Sequence, residues 1–129
     1  MNEPNRRAND LSYDVIGAAI DVHRALGPCF MESVYENAMA VELELRGIPF
    51  KRQVACSVSY KDVVVGEGRI DLLIEDLLVV ELKTVDAIVE AHVAQALFYL
   101  RTTDLPLALI VNFKANVLRE GIRRVVRSR

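Results

Sequence analysis

Three ionisable side chains sit where the chain is otherwise most hydrophobic. Asp71 lies in the apolar run from Gly68 to Ile74. Glu81 and Lys83 lie in a second run from Leu77 to Lys83, and Glu75 and Asp76 separate the two. Taking an isolated charge out of water is costly unless it finds a partner or a metal ion. Two carboxylates and an ammonium in one apolar hairpin therefore have two explanations. In the first, Lys83 is a counter-ion that keeps Asp71 and Glu81 from raising each other's pKa. In the second, the carboxylates and the peptide carbonyl of Leu82 are hard oxygen donors for a hard cation, Mg²⁺ or Mn²⁺.

Register decides whether these groups meet. Glu81 and Lys83 are two apart and share one face of a strand. A two-residue turn at Glu75-Asp76 would put Asp71 opposite Val80 and send Glu81 to the other side. A three-residue connection, Glu75 to Leu77, puts Asp71 opposite Glu81. A slip of one residue flips every side chain, and the three-residue connection or an equivalent bulge is expected here. Runs this apolar are usually buried on both faces, so helices are expected on both sides of the sheet.

The elements around the hairpin follow from periodicity and punctuation. Residues 1–10 are polar and read as a mobile tail. Ser12 is a plausible N-cap for a helix ending near Leu26, with Val15, Ile16, Ala19, Ile20 and Val22 at helical spacing and Gly27-Pro28 as its stop. His23 on this helix reads as packed or solvated. A second helix is expected from Glu32 to Arg46, with Gly47 as terminator. Val34, Ala38, Val41 and Leu45 form its apolar stripe; Glu32, Tyr35, Glu36, Met39 and Leu43 form an adjoining face. Phe50–Tyr60 reads as a strand with Val54, Cys56, Val58 and Tyr60 on one face. Lys61-Asp62 is a turn, and Gly66 and Gly68 suggest a bend before the central hairpin. A third helix is expected over Ile88–Arg101, where His92, Gln95 and Tyr99 make one polar stripe with His92 at its rim. Leu107–Val111 is a strand closed by Asn112, and Ile122–Val126 a short last strand.

Composition bounds the class. A chain of 129 residues with 52% hydrophobic residues suits one domain, residues 11–129 after the tail. No apolar run approaches the roughly 18 residues of a membrane helix, and the N-terminus lacks a signal-peptide pattern. Cys29 and Cys56 fit no metal spacing and read as reduced, small apolar residues of a cytoplasmic protein. The net charge of -2 lacks the global signature of a nucleic-acid binder. Yet Lys114, Arg119, Arg123, Arg124, Arg127 and Arg129 face only Glu120 near the C-terminus, which reads as a solvated basic tail or a phosphate-contacting patch.

The order of elements, α-α-β-β-β-α-β with a short last strand, is that of an α/β domain with a central mixed sheet flanked by helices. With it goes an order of residues: Glu32 on a helix, Asp71 on a strand, Glu81-x-Lys83 on its partner, Gln95 on the next helix. This set resembles the PD-(D/E)XK nuclease superfamily, with its restriction-endonuclease-like core. Asp71 matches the superfamily aspartate, Glu81-Leu82-Lys83 its E-x-K, and Gln95 with Tyr99 the Q-x-x-x-Y of the RecB and lambda-exonuclease branch. More closely, the chain resembles the GxxExxY family of small prokaryotic proteins, Glu32 and Tyr35 matching its E-x-x-Y. The likeness runs from about Ser12 to Phe113 and takes in His23 to Gly27 and Asn112-Phe113. Two positions depart from the pattern: Cys29 replaces the motif's glycine, with Gly27-Pro28 just before it, and Ile70 replaces the proline before the aspartate.

The resemblance implies hydrolysis of phosphodiesters in nucleic acid, with DNA the expected partner, no membrane, and room for a homodimer or larger complex. Mg²⁺ or Mn²⁺ would be held by Asp71, Glu81, the Leu82 carbonyl and Glu32, directly or through water. The ion would polarise the phosphate and acidify a bound water. Lys83 would orient that water and offset charge, and Gln95 and Tyr99 would position phosphate or the helix wall. The alternative is a noncatalytic module that keeps the fold and binds nucleic acid or a protein partner, since fold alone does not fix function.

Overall fold

The computed structural model describes residues 6–127. Helices α1 (Arg6–Leu26) and α2 (Glu32–Leu45) precede strands β1 (Phe50–Tyr60), β2 (Val63–Ile74) and β3 (Leu78–Lys83). Helix α3 (Glu90–Thr103), strand β4 (Leu107–Asn112), a 3-10 turn (Leu118–Gly121) and strand β5 (Ile122–Val126) follow. The five strands form one sheet in sequence order, all neighbours antiparallel except the parallel pair β3–β4 that α3 connects. This is the mixed α/β architecture expected of a restriction-endonuclease-like core. Helices cover both faces, as the apolar central strands require. Leu72, Ile74, Leu78, Val80, Leu82, Leu107, Leu109 and Val111 pack with α1 and α2. Ile70, Leu73, Val79, Ala108 and Ile110 pack with Ala96, Tyr99 and Leu100 of α3.

The central register is the one that brings the charges together. Leu72 pairs with Val80, Leu73 with Val79 and Ile74 with Leu78, which leaves Glu75 to Leu77 as the three-residue connection. Glu75 and Asp76 both adopt left-handed backbone, φ 49° and 55°. Across β1 and β2 the strands do something the alternation does not foretell. Phe50, Leu72 and Ile74 pack on the α1/α2 side, whereas Val54, Cys56 and Ile70, of the same parity, pack on the α3 side. The change falls at Gln53, a non-glycine residue with φ 51°, and at Asp71 across from it. The outer part of the β1–β2 ribbon thus rotates by half a pleat, and the rotation aims Gln53 and Asp71 away from both cores.

Several expectations are corrected. Residues 1–5 of the expected tail lie outside the described residues, but residues 6–10 are helical. Ala8 and Leu11 are buried in line with Val15 and Val22, and Arg7 Nε donates to Glu75 at 3.0 Å, so burial and an ion pair pin the first turns. Ser12 is therefore no N-cap; its hydroxyl donates back to the Asn9 carbonyl at 2.6 Å. On α2 the expected stripe is not the buried one: Val41 and Leu45 are 60% and 78% exposed, while Tyr35, Met39, Ala40 and Leu43 face inward. The larger side chains win, because they remove more apolar surface from water. Helix α3 begins at Glu90 rather than Ile88. The basic C-terminal stretch is not a solvated tail up to residue 127. It forms the 3-10 turn and β5, which pairs with β4 and buries Val125, while Lys114 and Arg127 pair with Asp86 and Asp104. Arg129 lies outside the described residues.

The motif tyrosine and its neighbours hold the loops. Tyr35, fully buried, donates its hydroxyl to the Gly27 carbonyl, accepts from the Phe30 amide at 3.2 Å, and stacks on Phe113 with ring centroids 4.4 Å apart. Gly27 itself has φ +75°, so the chain turns there after α1 in a conformation that favours glycine. Cys29 is not among the positive-φ residues, so its side chain costs the backbone nothing there. It is an exposed free thiol, while the free thiol of Cys56 is half-buried. His23 Nε2 meets the Ala115 carbonyl at 2.8 Å; a carbonyl only accepts, so this nitrogen carries the proton and the histidine is a packing residue. Tyr35→Phe is expected to lose about 1 kcal/mol of stability, because the Gly27 carbonyl and the Phe30 amide lose the hydroxyl of the buried Tyr35 as their partner; urea unfolding with an unchanged m-value measures it. Gly68→Ala should cost about 1–3 kcal/mol in the same assay. A Cβ there would sit 2.7 Å from Tyr99 Cε1 and 3.1 Å from Phe98 Cε2, against the wall of α3.

Candidate active site

The site forms where β2 and β3 part. Regular pairing ends at Leu72 and Val80, one residue short of Asp71 and Glu81. Beyond that point side chains replace the ladder. The Glu81 carboxylate accepts from the Asp71 amide at 2.9 Å, and the Asp71 carboxylate accepts from the Leu82 amide at 2.8 Å. Each acid thus satisfies a backbone donor that the divergence would leave open, and the bond holds its carboxylate in place. Leu82 anchors the arrangement, since its side chain is 1% exposed in the α1/α2 core and leaves Glu81 and Lys83 on the other face.

Two arms extend from this pair. On one, Gln53 donates to Asp71 at 3.3 Å and to Glu36 of α2 at 2.5 Å, and Arg52 donates to the other oxygen of Glu36 at 2.9 Å. On the other, Lys83 Nζ donates to Gln95 Oε1 at 3.0 Å, and Gln95 Nε2 donates to the Tyr99 hydroxyl at 3.1 Å. The second arm is the E-x-K meeting the Q-x-x-x-Y stripe across the sheet–helix boundary. His92, at the start of the stripe, accepts the Val89 amide at Nδ1, 3.0 Å, and closes the helix N-terminus.

The electrostatics follow from burial and crowding. Burial first, and the Asp71 charge second, push the Glu81 carboxyl up to about 8, against the opposing pull of the Asp71 amide and of Lys83. Asp71 is also raised, mainly by burial and then by the charges of Glu36 and Glu32, although the Leu82 and Gln53 bonds favour its ionised form. Burial and the neighbouring Glu81 charge lift the Tyr99 hydroxyl to about 12, so it stays a neutral donor and acceptor. Glu32 stands exposed at the start of α2, and its negative charge reaches both Asp71 and Glu81. No hydrogen bond joins it to them among the described residues, and no group of three His, Cys, Asp or Glu side chains there forms a ready-made metal cage. The structure thus gathers Asp71, Glu81, Lys83, Gln95 and Tyr99, and leaves Glu32 at the rim.

Sequence reasoning missed Gln53 and undervalued Glu36. In Lys51-Arg52-Gln53 the polar residues look like a strand's wet face, and only the positive φ of Gln53 turns its amide onto Asp71. Glu36 carried a signal, since it lies one helical turn from Glu32.

Among the described residues no helix is long and apolar enough to cross a membrane. Neither a curated protein nor a solved structure matches the chain. A family model of the PD-(D/E)XK nuclease superfamily, however, matches residues 9–125. That span holds most of α1, all of α2 and α3, strands β1 to β4 and most of β5, so the chain with its Asp71, Glu81-x-Lys83 and Gln95 belongs to the PD-(D/E)XK nuclease superfamily.

Proposed function

We propose that the chain is a metal-dependent nuclease that hydrolyses phosphodiester bonds in nucleic acid, DNA being the first substrate to test. The observation that carries this reading is the parted hairpin. Two carboxylates held in place by backbone amides, both raised in pKa, lie beside an ammonium two residues further along β3. The donor set fits a hard divalent ion: Asp71, Glu81 and the Leu82 carbonyl would hold it, with Glu32 joining directly or through water. The ion would supply Lewis acidity and a water of lowered pKa.

The chain's own residues account for the rest. An ammonium has three donors, and Lys83 gives one to Gln95. The other two remain for a phosphate oxygen or an attacking water. Gln95 is fixed at both ends of its amide, so its orientation and that of Lys83 are set before substrate arrives. Gln53 ties Asp71 to α2 and keeps its carboxylate from swinging away.

The test incubates purified protein with single- and double-stranded DNA and RNA, with Mg²⁺, Mn²⁺ or chelator, and follows melting temperature in parallel. Cleavage that requires the ion is expected. Intact substrates in every condition, with no metal-dependent rise in melting temperature, would defeat the reading. The net charge of -2 and the small size of the chain favour a second reading, a noncatalytic binding module. That module would bind nucleic acid or a protein equally well in chelator.

A further inference from the structure

We propose that the outer edge of β1 is a self-association surface, on which a second copy of this chain pairs antiparallel about a two-fold axis at Ser57. Strand β1 ends the sheet, and among the described residues no strand pairs with its outer edge. Soluble proteins usually blunt such an edge with charges, proline, bulges or short length. This edge runs for 11 residues, and Gln53 to Tyr60 carries no charge and no proline. The one register shift lies near the hairpin end, between Val58 and Ser59. Around it the ribbon exposes Val58, Tyr60, Val63, Val64 and Val65, at 39% to 63%. This is more apolar surface than a free hairpin end needs.

The occupant is argued from self-complementarity. A two-fold contact requires that if residue i faces j, then j faces i. Centred on Ser57, the pairing sets Cys56 against Val58 of the second copy, Val54 against Tyr60 and Ala55 against Ser59. The apolar residues then fall on one face, and the small ones on the other, where cross-strand neighbours touch. Lys61 and Asp62 lie in the turn beyond β1, so over the paired span, residues 54–60, the register sets no charge against another. Pairing would continue the sheet across both chains and bring the exposed hairpin valines alongside the partner's strand. The surface lies on the part of the ribbon beyond Gln53, so the proposal is independent of the chemistry at Asp71 and Glu81.

The test measures the mass of the full chain in solution by light scattering and sedimentation. Wild type is expected at about twice the 14.5 kDa chain mass at micromolar concentration. Ser57 is exposed, so Ser57→Lys and Ser57→Glu should both fold, which circular dichroism checks. Each puts like charges face to face on the axis and should run as a monomer. Mixed in equal amounts, the two variants should regain the double mass, because Lys then faces Glu. A monomeric wild type would overturn the proposal. So would variants that stay dimeric alone, or a mixture that stays monomeric.

Discussion

Lys83→Ala is expected to abolish metal-dependent cleavage while leaving the fold standing. Removing one preorganised donor from the place where charge develops typically costs about 10²–10³ in rate. The charge of Lys83 reaches Glu81 in the parted hairpin, and Gln95 fixes the ammonium. The side chain is half-buried and is not part of either hydrophobic cluster, so its loss should shift the melting temperature by only a few degrees. Gln95→Ala should fall between wild type and Lys83→Ala, since the ammonium survives but loses its orientation. Its defect should appear in the maximal rate more than in substrate binding. Cleavage that persists in purified Lys83→Ala would place the chemistry elsewhere. A rate loss in Gln95→Ala as large as that of Lys83→Ala would mean that the amide, not the ammonium, meets the substrate.

Glu81 gives the second large effect, on stability. Its carboxyl titrates at about 8 in the fold against an ordinary 4.5. Between these values the folded state holds a proton that the unfolded chain has released. The unfolded state then binds fewer protons, so stability falls as pH rises through this window. Each unit of difference is worth about 1.4 kcal/mol, which makes the total of order several kcal/mol. Asp71, also raised, adds to the same slope. In chelator the protein should therefore be most stable at mildly acid pH and weaken toward pH 8–9. A divalent ion must displace the Glu81 proton, so it should raise the melting temperature more at high pH than at low. Glu81→Gln should flatten the slope, stabilise the metal-free protein at high pH, and shrink the response to Mg²⁺. Stability in chelator that climbs from pH 5 to 8, or the same slope in Glu81→Gln, would sink the assignment.

The two effects separate the parts of the site. Under the proposed function the ammonium would govern rate and hardly touch stability, whereas the buried acid would govern stability and its link to the ion. A binding-only protein would show the pH slope without any cleavage, because the slope arises from burial and carboxylate crowding alone. Metal stabilisation without cleavage would leave the site intact and point to an untested substrate class.

Much of the candidate site was legible in the chain. Charges inside apolar runs are rare enough to single out Asp71, Glu81 and Lys83, and the 3.6-residue period put Gln95 and Tyr99 on one stripe. The period-2 rule with a three-residue connection was enough to place Asp71 across from Glu81, because register is a local property of the hairpin. The helices on both faces followed from the continuous apolarity of β3 and β4. What local pattern could not decide was anything set by competition between distant surfaces. Which face of α2 is buried depended in part on Phe113, distant in sequence just after β4, which offers a ring to Tyr35 in the same core. The helical start at Arg6 depended on Glu75, in a turn far along the chain. The aim of Gln53 depended on a positive φ that polar strand residues do not advertise, and that the ribbon's rotation onto α3 accompanies. The sequence by itself determined the elements, the central register and the identities of the acids and the ammonium. Only the tertiary structure decided where the strands part, and with that which backbone amides hold the carboxylates, because the divergence arises from α2 and α3 packing on opposite sides of one ribbon.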